Sequence, residues 1–208
     1  VNVDGDVYVI ADKGIVKTVG GGKINGNLNI KSDDSVALNY VANGKALHVT
    51  GDVDVDGNGV MMYARNTKVD GNLNMTNGGG FLEVGNVQVG KDMNIKTVAK
   101  SENPQGYKHF VHVIGKNKVG GNLTINSENN IHIGNYNYEE GVLLDGNLEV
   151  GGDLTAHAKN GHVMTTIDTK AGGKISLKSD NLNVLTDGNA TLTAKEYEFS
   201  SNGYIGGL

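Results

Sequence analysis

VDGNLNMTNGGGFLEVGNVQV, residues 69–89, decides the fold. Three runs inside it alternate apolar and polar residues: NLNM at 72–75, FLEV at 81–84 and VQV at 87–89. Alternation with a period of two belongs to strands and not to helices. Gly and Asn separate the runs. Leu73, Met75, Val87 and Val89 would point inward, and Asn72, Asn74 and Gln88 outward.

The stretch is one copy of a repeat. A heptad of aliphatic, small or polar, Gly, Asn or Asp, aliphatic, any, aliphatic recurs as VDGDVYV (3–9), INGNLNI (24–30), VTGDVDV (49–55), VDGNLNM (69–75), VGGNLTI (119–125), LDGNLEV (144–150) and VGGDLTA (150–156). Looser copies are VGKDMNI (89–95), AGGKISL (171–177) and TDGNATL (186–192). The first strand residues Val7, Leu28, Val53, Leu73, Met93, Leu123, Leu148, Ile175 and Ala190 are separated by 21, 25, 20, 20, 30, 25, 27 and 15 residues. Leu154 falls outside that ladder.

Three short strands in each interval of 20–25 residues describe one coil of a parallel β-helix, a solenoid of stacked coils. Glycine suits the corners because sharp bends often need positive φ, and Asn is the next most tolerant residue. Asn at matching corners can stack into hydrogen-bonded ladders. The rival is a β-sandwich or barrel of hairpins, since Asp-Gly and Asn-Gly also mark hairpin turns. Near-constant spacing of a repeated sequence favours the solenoid.

Composition agrees with an ordered, strand-rich fold. The 208 residues include 32 Gly and 27 Asn but one Pro, and apolar residues run throughout. There is no Trp, and 8 Tyr and 3 Phe leave the core to aliphatic side chains. The absence of Cys excludes disulfides and thiolate metal sites. The net charge is −5, Arg65 is the only arginine, and no basic stripe is visible along the sequence, so nucleic acid is not an expected partner. No apolar run approaches the roughly 18 residues of a transmembrane helix. The chain reads as a single β-helical unit over 1–208, cut from a longer protein, with two longer inserts near 96–118 and 126–141.

GNLNI (26–30), GNLTI (121–125), GNLEV (146–150) and GGDLTA (151–156) resemble the repeats of filamentous haemagglutinin-like exoproteins, large bacterial surface proteins exported by two-partner secretion. The resemblance covers about residues 3–192. It implies a right-handed parallel β-helix and export through an outer-membrane transporter. It further implies a secreted, cell-surface location and a structural or adhesive role toward a glycan or protein receptor on host or neighbouring cells. It equally fits the stalk or receptor-binding part of a contact-dependent toxin-delivery protein. The Asn-Pro-Asn motifs of the family's export domain are missing; Asn103-Pro104-Gln105 in mid-chain is too little.

Several candidates for chemistry stand out. GDVDVDGNG (51–59) spaces Asp52, Asp54 and Asp56 as a helix-loop-helix calcium loop does, with Gly57 following. Such a loop needs a carboxylate at position 12, where Tyr63 stands, and helices on either side. The stretch is therefore read first as a repeat copy, with a weakly held calcium ion as the alternative. No other cofactor is expected. A β-helical polysaccharide lyase or hydrolase is the enzymatic alternative, with Asp52, Asp54 and Asp56 as acids and Arg65 or Lys68 as base. The 126–141 insert contains GNYNYEEG, where Tyr136 and Tyr138 offer a small stacking surface beside Asn135 and Asn137. These four are the ligand-binding candidates, against the plain reading of tyrosines on an exposed strand or loop. VGGGKING (19–26) fails the phosphate-loop pattern and reads as a turn. His109 and His112 would take opposite faces of a strand, and His132 and His157 outward positions, so no zinc cluster forms. NMT (74–76), NLT (122–124) and NAT (189–191) match the glycosylation triplet.

Overall fold

The computed structural model describes residues 2–19, 21–39, 45–98, 110–134, 136–137, 142–143 and 146–207, with the backbone alone at 136, 137, 142 and 143. Among these residues there is no helix. Three nine-stranded parallel sheets run side by side along one solenoid. Each coil contributes one strand to each sheet. In the fourth coil these are Thr67–Val69 in sheet 1, Leu73–Asn77 in sheet 2 and Phe81–Gly85 in sheet 3. The only antiparallel pair among the described residues joins Tyr136–Asn137 to Val142–Leu143.

Parallel pairing in register stacks like on like. In sheet 2, Leu28, Val53, Leu73, Met93, Leu123, Leu154 and Ile175 lie one above another, each at most 1% exposed. In sheet 3, Met62, Leu82, Val111, Ile131 and Val163 do the same. Leu73, Met75, Val87 and Val89 are buried as their alternation predicts, and Gln88 is exposed. The core is a bundle of aliphatic columns, which explains how a chain without Trp fills it.

The glycine of the repeat has a steric role. One Asx residue per coil forms a ladder along the corner before sheet 2. The side-chain Oδ1 of Asp6 accepts a hydrogen bond from the backbone N–H of Asn27, Asn27 from Asp52, Asp52 from Asn72, and Asn72 from Asp92. Asp92 then accepts from Asn122, Asn122 from Asp153, and Asp153 from Lys174. With one exception the residue before each donor N–H is a glycine, Gly26, Gly51, Gly71, Gly121, Gly152 or Gly173, and a Cβ there would collide with the Oδ1 of the coil below. Where Lys91 replaces this glycine, the bond that the Asp92 N–H donates to Asn72 is the longest of the ladder, 3.2 Å against 2.7–2.9 Å elsewhere. Left-handed backbone is concentrated at a different corner, between sheets 3 and 1, at Asn39, Asn66, Asn86 and Gly115.

Four expectations need correction. Leu148 pairs with Asn117 and Thr169 in sheet 1, while Leu154 takes the sheet 2 position above Leu123. LDGNLEV and VGGDLTA share Val150, and the motif with a ladder rung, Asp153, is the second. Ala190 is likewise not a ladder residue, because Tyr197 stacks on Ile175. The inserts are also smaller than 96–118 and 126–141. Those ranges contain the regular strands Val111–Ile114, Lys116–Val119 and Ile131–Ile133. Finally, VGGGKING is only partly a turn, since Gly22–Asn25 is a sheet 1 strand.

Candidate functional site

A solenoid offers its outward columns as functional surface. On sheet 2 the column through Asp54 reads Tyr8, Asn29, Asp54, Asn74 and Asn94 in successive coils. Asn74 donates to Asp54 at 2.7 Å, and Asn94 donates to Asn74 at 2.9 Å. Beside it Tyr8, Asn29, Lys31, Asp54, Asp56 and Asn74 line a shallow depression of about 470 Å³.

The three carboxylates of GDVDVDGNG have different tasks. Asp52 is a ladder rung, and its Oδ1 accepts from both the backbone and the side chain of Asn72. Asp54 and Asp56 are exposed on the strand Val53–Gly57. Among the described residues no group of three or more His, Asp or Glu is arranged to hold a metal ion. Arg65 and Lys68 do not join these acids. Arg65 lies in sheet 3 and Lys68 in sheet 1, whereas Asp54 lies in sheet 2. Tyr136 and Asn137 form the short antiparallel strand noted above, without described side chains, and Asn135 and Tyr138 fall outside the described residues. His109 also falls outside them.

Sheet 3 carries a cluster of aromatic and titratable side chains. Phe81 and Phe110 stack in register with ring centroids 4.5 Å apart, and Tyr63 meets Phe81 edge-on at 5.7 Å. One column over, Tyr63, Glu83, His112 and His132 follow in successive coils. His112 lies 5.6 Å from Phe110 and 5.3 Å from His132, centroid to centroid. This crowding desolvates the polar members. Glu83 is 6% exposed and ion-paired with Arg65. Burial raises its carboxyl above the usual range, against the opposing pull of the Arg65 charge. Burial, aided by the neighbouring His132, lowers His112 to about 4. The Nε2 of His112 has no hydrogen-bond partner among the described residues. Desolvation also lowers His132, with His162 contributing. His132 is an outward strand residue, as expected, and so is His157, which pairs with Asp180 at 2.8 Å.

Sheet 1 holds a feature that the linear sequence hides. Lys23, Lys68, Lys118 and Lys170 all occupy one outward column, so the coil period assembles a basic stripe from dispersed residues. The signal is present one residue before the heptad: KING at 23–26, KVDG at 68–71, KVGG at 118–121 and KAGG at 170–173. Among the described residues no helix is long and apolar enough to cross a membrane. No protein-family model matches the chain, and no curated protein or solved structure matches it.

Proposed function

We propose that the chain is a structural and adhesive segment of a large secreted bacterial surface filament of the filamentous haemagglutinin-like kind. It supports attachment to a glycan or protein receptor on host or neighbouring cells. The observation that carries this reading is the Asx ladder, which runs through seven successive coil steps. Each coil is satisfied by its two neighbours alone, so length and stability grow together by repetition, as a shaft requires. The outward columns of sheets 1 and 2 then present exposed side chains for contact. The strings GNLNI, GNLTI, GNLEV and GGDLTA add the resemblance to that family. A cysteine-free chain suits export in an unfolded state through an outer-membrane transporter. The reading is non-catalytic, supported by the separation of Asp54, Arg65 and Lys68 onto three different sheets.

The test is direct binding of fluorescently labelled chain to host epithelial cells and to bacterial cells, with excess unlabelled chain as competitor. Saturable, competed binding to either is expected. Binding that is absent, or not competed, overturns the adhesive part of the reading.

A further inference from the structure

The basic stripe on sheet 1 has a period. Lysine occupies every second coil, at Lys23, Lys68, Lys118 and Lys170. The coils between carry His48, Gln88 and Glu149 at the same position. Neighbouring strands lie about 4.8 Å apart, so the lysines recur about every 9.6 Å. Lys68 and Lys118 extend into solvent, with side chains 48% and 70% exposed. Lys23 and Lys170 are exposed and carry no ion pair among the described residues.

From Gln88 onward a lane without side chains runs beside the column, whereas Asn25, Thr50 and Asp70 hold the equivalent position beside Lys23, His48 and Lys68. Gly90, Gly120, Gly151 and Gly172 stack two residues beyond the column, each packed so closely that a Cβ would strike the backbone carbonyl of the coil below. Lane and column enclose a shallow depression of about 280 Å³ between Lys68, Gln88, Gly90, Lys118 and Gly120. The surface is thus a track, a file of regularly spaced cations parallel to the solenoid axis, with a floor of glycine along the half that holds Lys118 and Lys170. Asp70, held 3.1 Å from Lys68, and Glu149, 3.9 Å from Lys118, temper the field and limit the affinity of any one contact.

The geometry points to a linear, carboxylated polysaccharide with one acid on every second sugar as the ligand of the sheet 1 track. It names a ligand class for the adhesive reading above and rests on that reading. Charge spacing selects it. A nucleic acid strand carries a phosphate about every 3.4 Å, far denser than the lysines, and its recognition draws on arginine and aromatic stacking. Here the single arginine, Arg65, lies on sheet 3. An anionic lipid surface is recognised by a compact cluster of about four to eight basic residues, not by a file of single ones. A polymer with one carboxylate per disaccharide places its charges about two coils apart when extended. Each carboxylate then meets a lysine while the neutral sugar crosses the intervening coil. The individual ion pairs are exposed and weak, roughly 0–1 kcal/mol each, so binding depends on several acting together and falls with salt.

The experiment immobilises hyaluronan, carboxyl-reduced hyaluronan, polygalacturonate and duplex DNA, and measures the affinity of the chain for each. Lys68→Gln/Lys118→Gln/Lys170→Gln is compared with Lys31→Gln/Lys96→Gln/Lys178→Gln. The second variant makes the same charge change on sheet 2. Thermal unfolding checks that both variants fold. The expected result is hyaluronan binding that disappears on carboxyl reduction. It should weaken at least tenfold in the sheet 1 variant and less than twofold in the sheet 2 variant. Equal losses in both variants, tighter binding to DNA or polygalacturonate than to hyaluronan, or no hyaluronan binding would overturn the assignment. Competed cell binding that survives the sheet 1 substitutions would leave the adhesive reading standing and sink this one alone.

Discussion

The carboxylate of Asp92 accepts a hydrogen bond from the backbone N–H of Asn122 at 2.7 Å, across 30 residues of chain. Gly121 makes that contact possible, because a Cβ at that position would occupy the space of the carboxylate oxygen. The repeat's Gly-Asx pair is therefore a single device. The glycine of one coil leaves room for the acceptor of the coil below, and the Asx that follows it extends the ladder upward.

Gly121→Ala should consequently destabilise the chain by about 1–3 kcal/mol, the usual cost of overpacking, with part of the ladder bond lost besides. Gly188→Ala is the control, since a Cβ there meets nothing within 4 Å. It should stay within about 0.5 kcal/mol of the parent. Urea unfolding of both variants provides the comparison, and equal midpoints would remove the steric role assigned to the repeat glycine.

The ladder accepts Asn and Asp alike, because every backbone N–H in it is received by an Oδ1; Asn72 alone of the rungs named above also donates through its side-chain amide, to Asp52. Asn122→Asp is expected to be nearly neutral. Asn122→Ala leaves the Asp153 N–H, now bound at 2.9 Å, without its acceptor and should cost about 1 kcal/mol. Circular dichroism melts distinguish the two. Identical losses would mean that the side-chain oxygen contributes nothing.

His112 gives the fold a pH dependence of defined sign. Its imidazole is held neutral down to about 4, against the ordinary histidine value of 6.5. The unfolded chain therefore binds more protons than the folded chain between those values. Stability from this group is complete above pH 6.5, declines as pH falls, and is gone below about 4. At about 1.36 kcal/mol per pH unit the effect is at most about 3 kcal/mol. The charged and titratable groups facing it are Glu83 and His132, with Arg65 bound to Glu83. The raised carboxyl of Glu83 acts in the opposite direction, favouring the folded chain as pH falls. His112→Phe, which extends the Phe81–Phe110 stack, should flatten the slope between pH 6.5 and 4. Unfolding titrations across that range would refute the assignment if parent and variant ran parallel.

Eleven residues, 99–109, separate Val98 from Phe110 in the sequence of the fifth coil, whereas the coil before crosses from sheet 2 to sheet 3 through Gly78, Gly79 and Gly80 alone. Replacing 99–109 with Gly-Gly restores that connector length after Val98, since Phe110 stacks on Phe81. The shortened chain should fold with an unchanged or higher melting temperature. Deleting 110–118 should instead unfold it, because Val111 and Val113 are core residues and Lys116–Val119 is a sheet 1 strand.

The parts of this molecule legible in its sequence are those that depend on neighbouring residues. Alternation in NLNM and FLEV predicts the inward side chains, and the spacing of the heptads predicts the parallel solenoid. What depends on register across coils is harder to read. Leu148 and Leu154 sit in overlapping copies of one motif, and only the Asp153 rung separates them. Polar, Asn- and Lys-rich strings such as KNKV resemble loops in one dimension and are strands in three, which is why the sequence suggests wider inserts than the strands allow. Conformational freedom accounts for glycines such as Gly5, Gly115 and Gly134, which have positive φ, but at Gly51, Gly71, Gly121, Gly152 and Gly173 it is close approach to an Asx side chain that excludes a Cβ. The Phe81–Phe110–His112 cluster unites residues about one coil apart and has no local signature. The lysine column does have one, in the residue just before each heptad.

The most direct test of the adhesive, non-catalytic account is to pass the chain over a panel of host glycans and bacterial polysaccharides and score retention and chain cleavage together. Retention of the protein with every polysaccharide left at full length is the predicted result. Release of shortened products from any member of the panel would contradict it and return attention to the acids at 52–56.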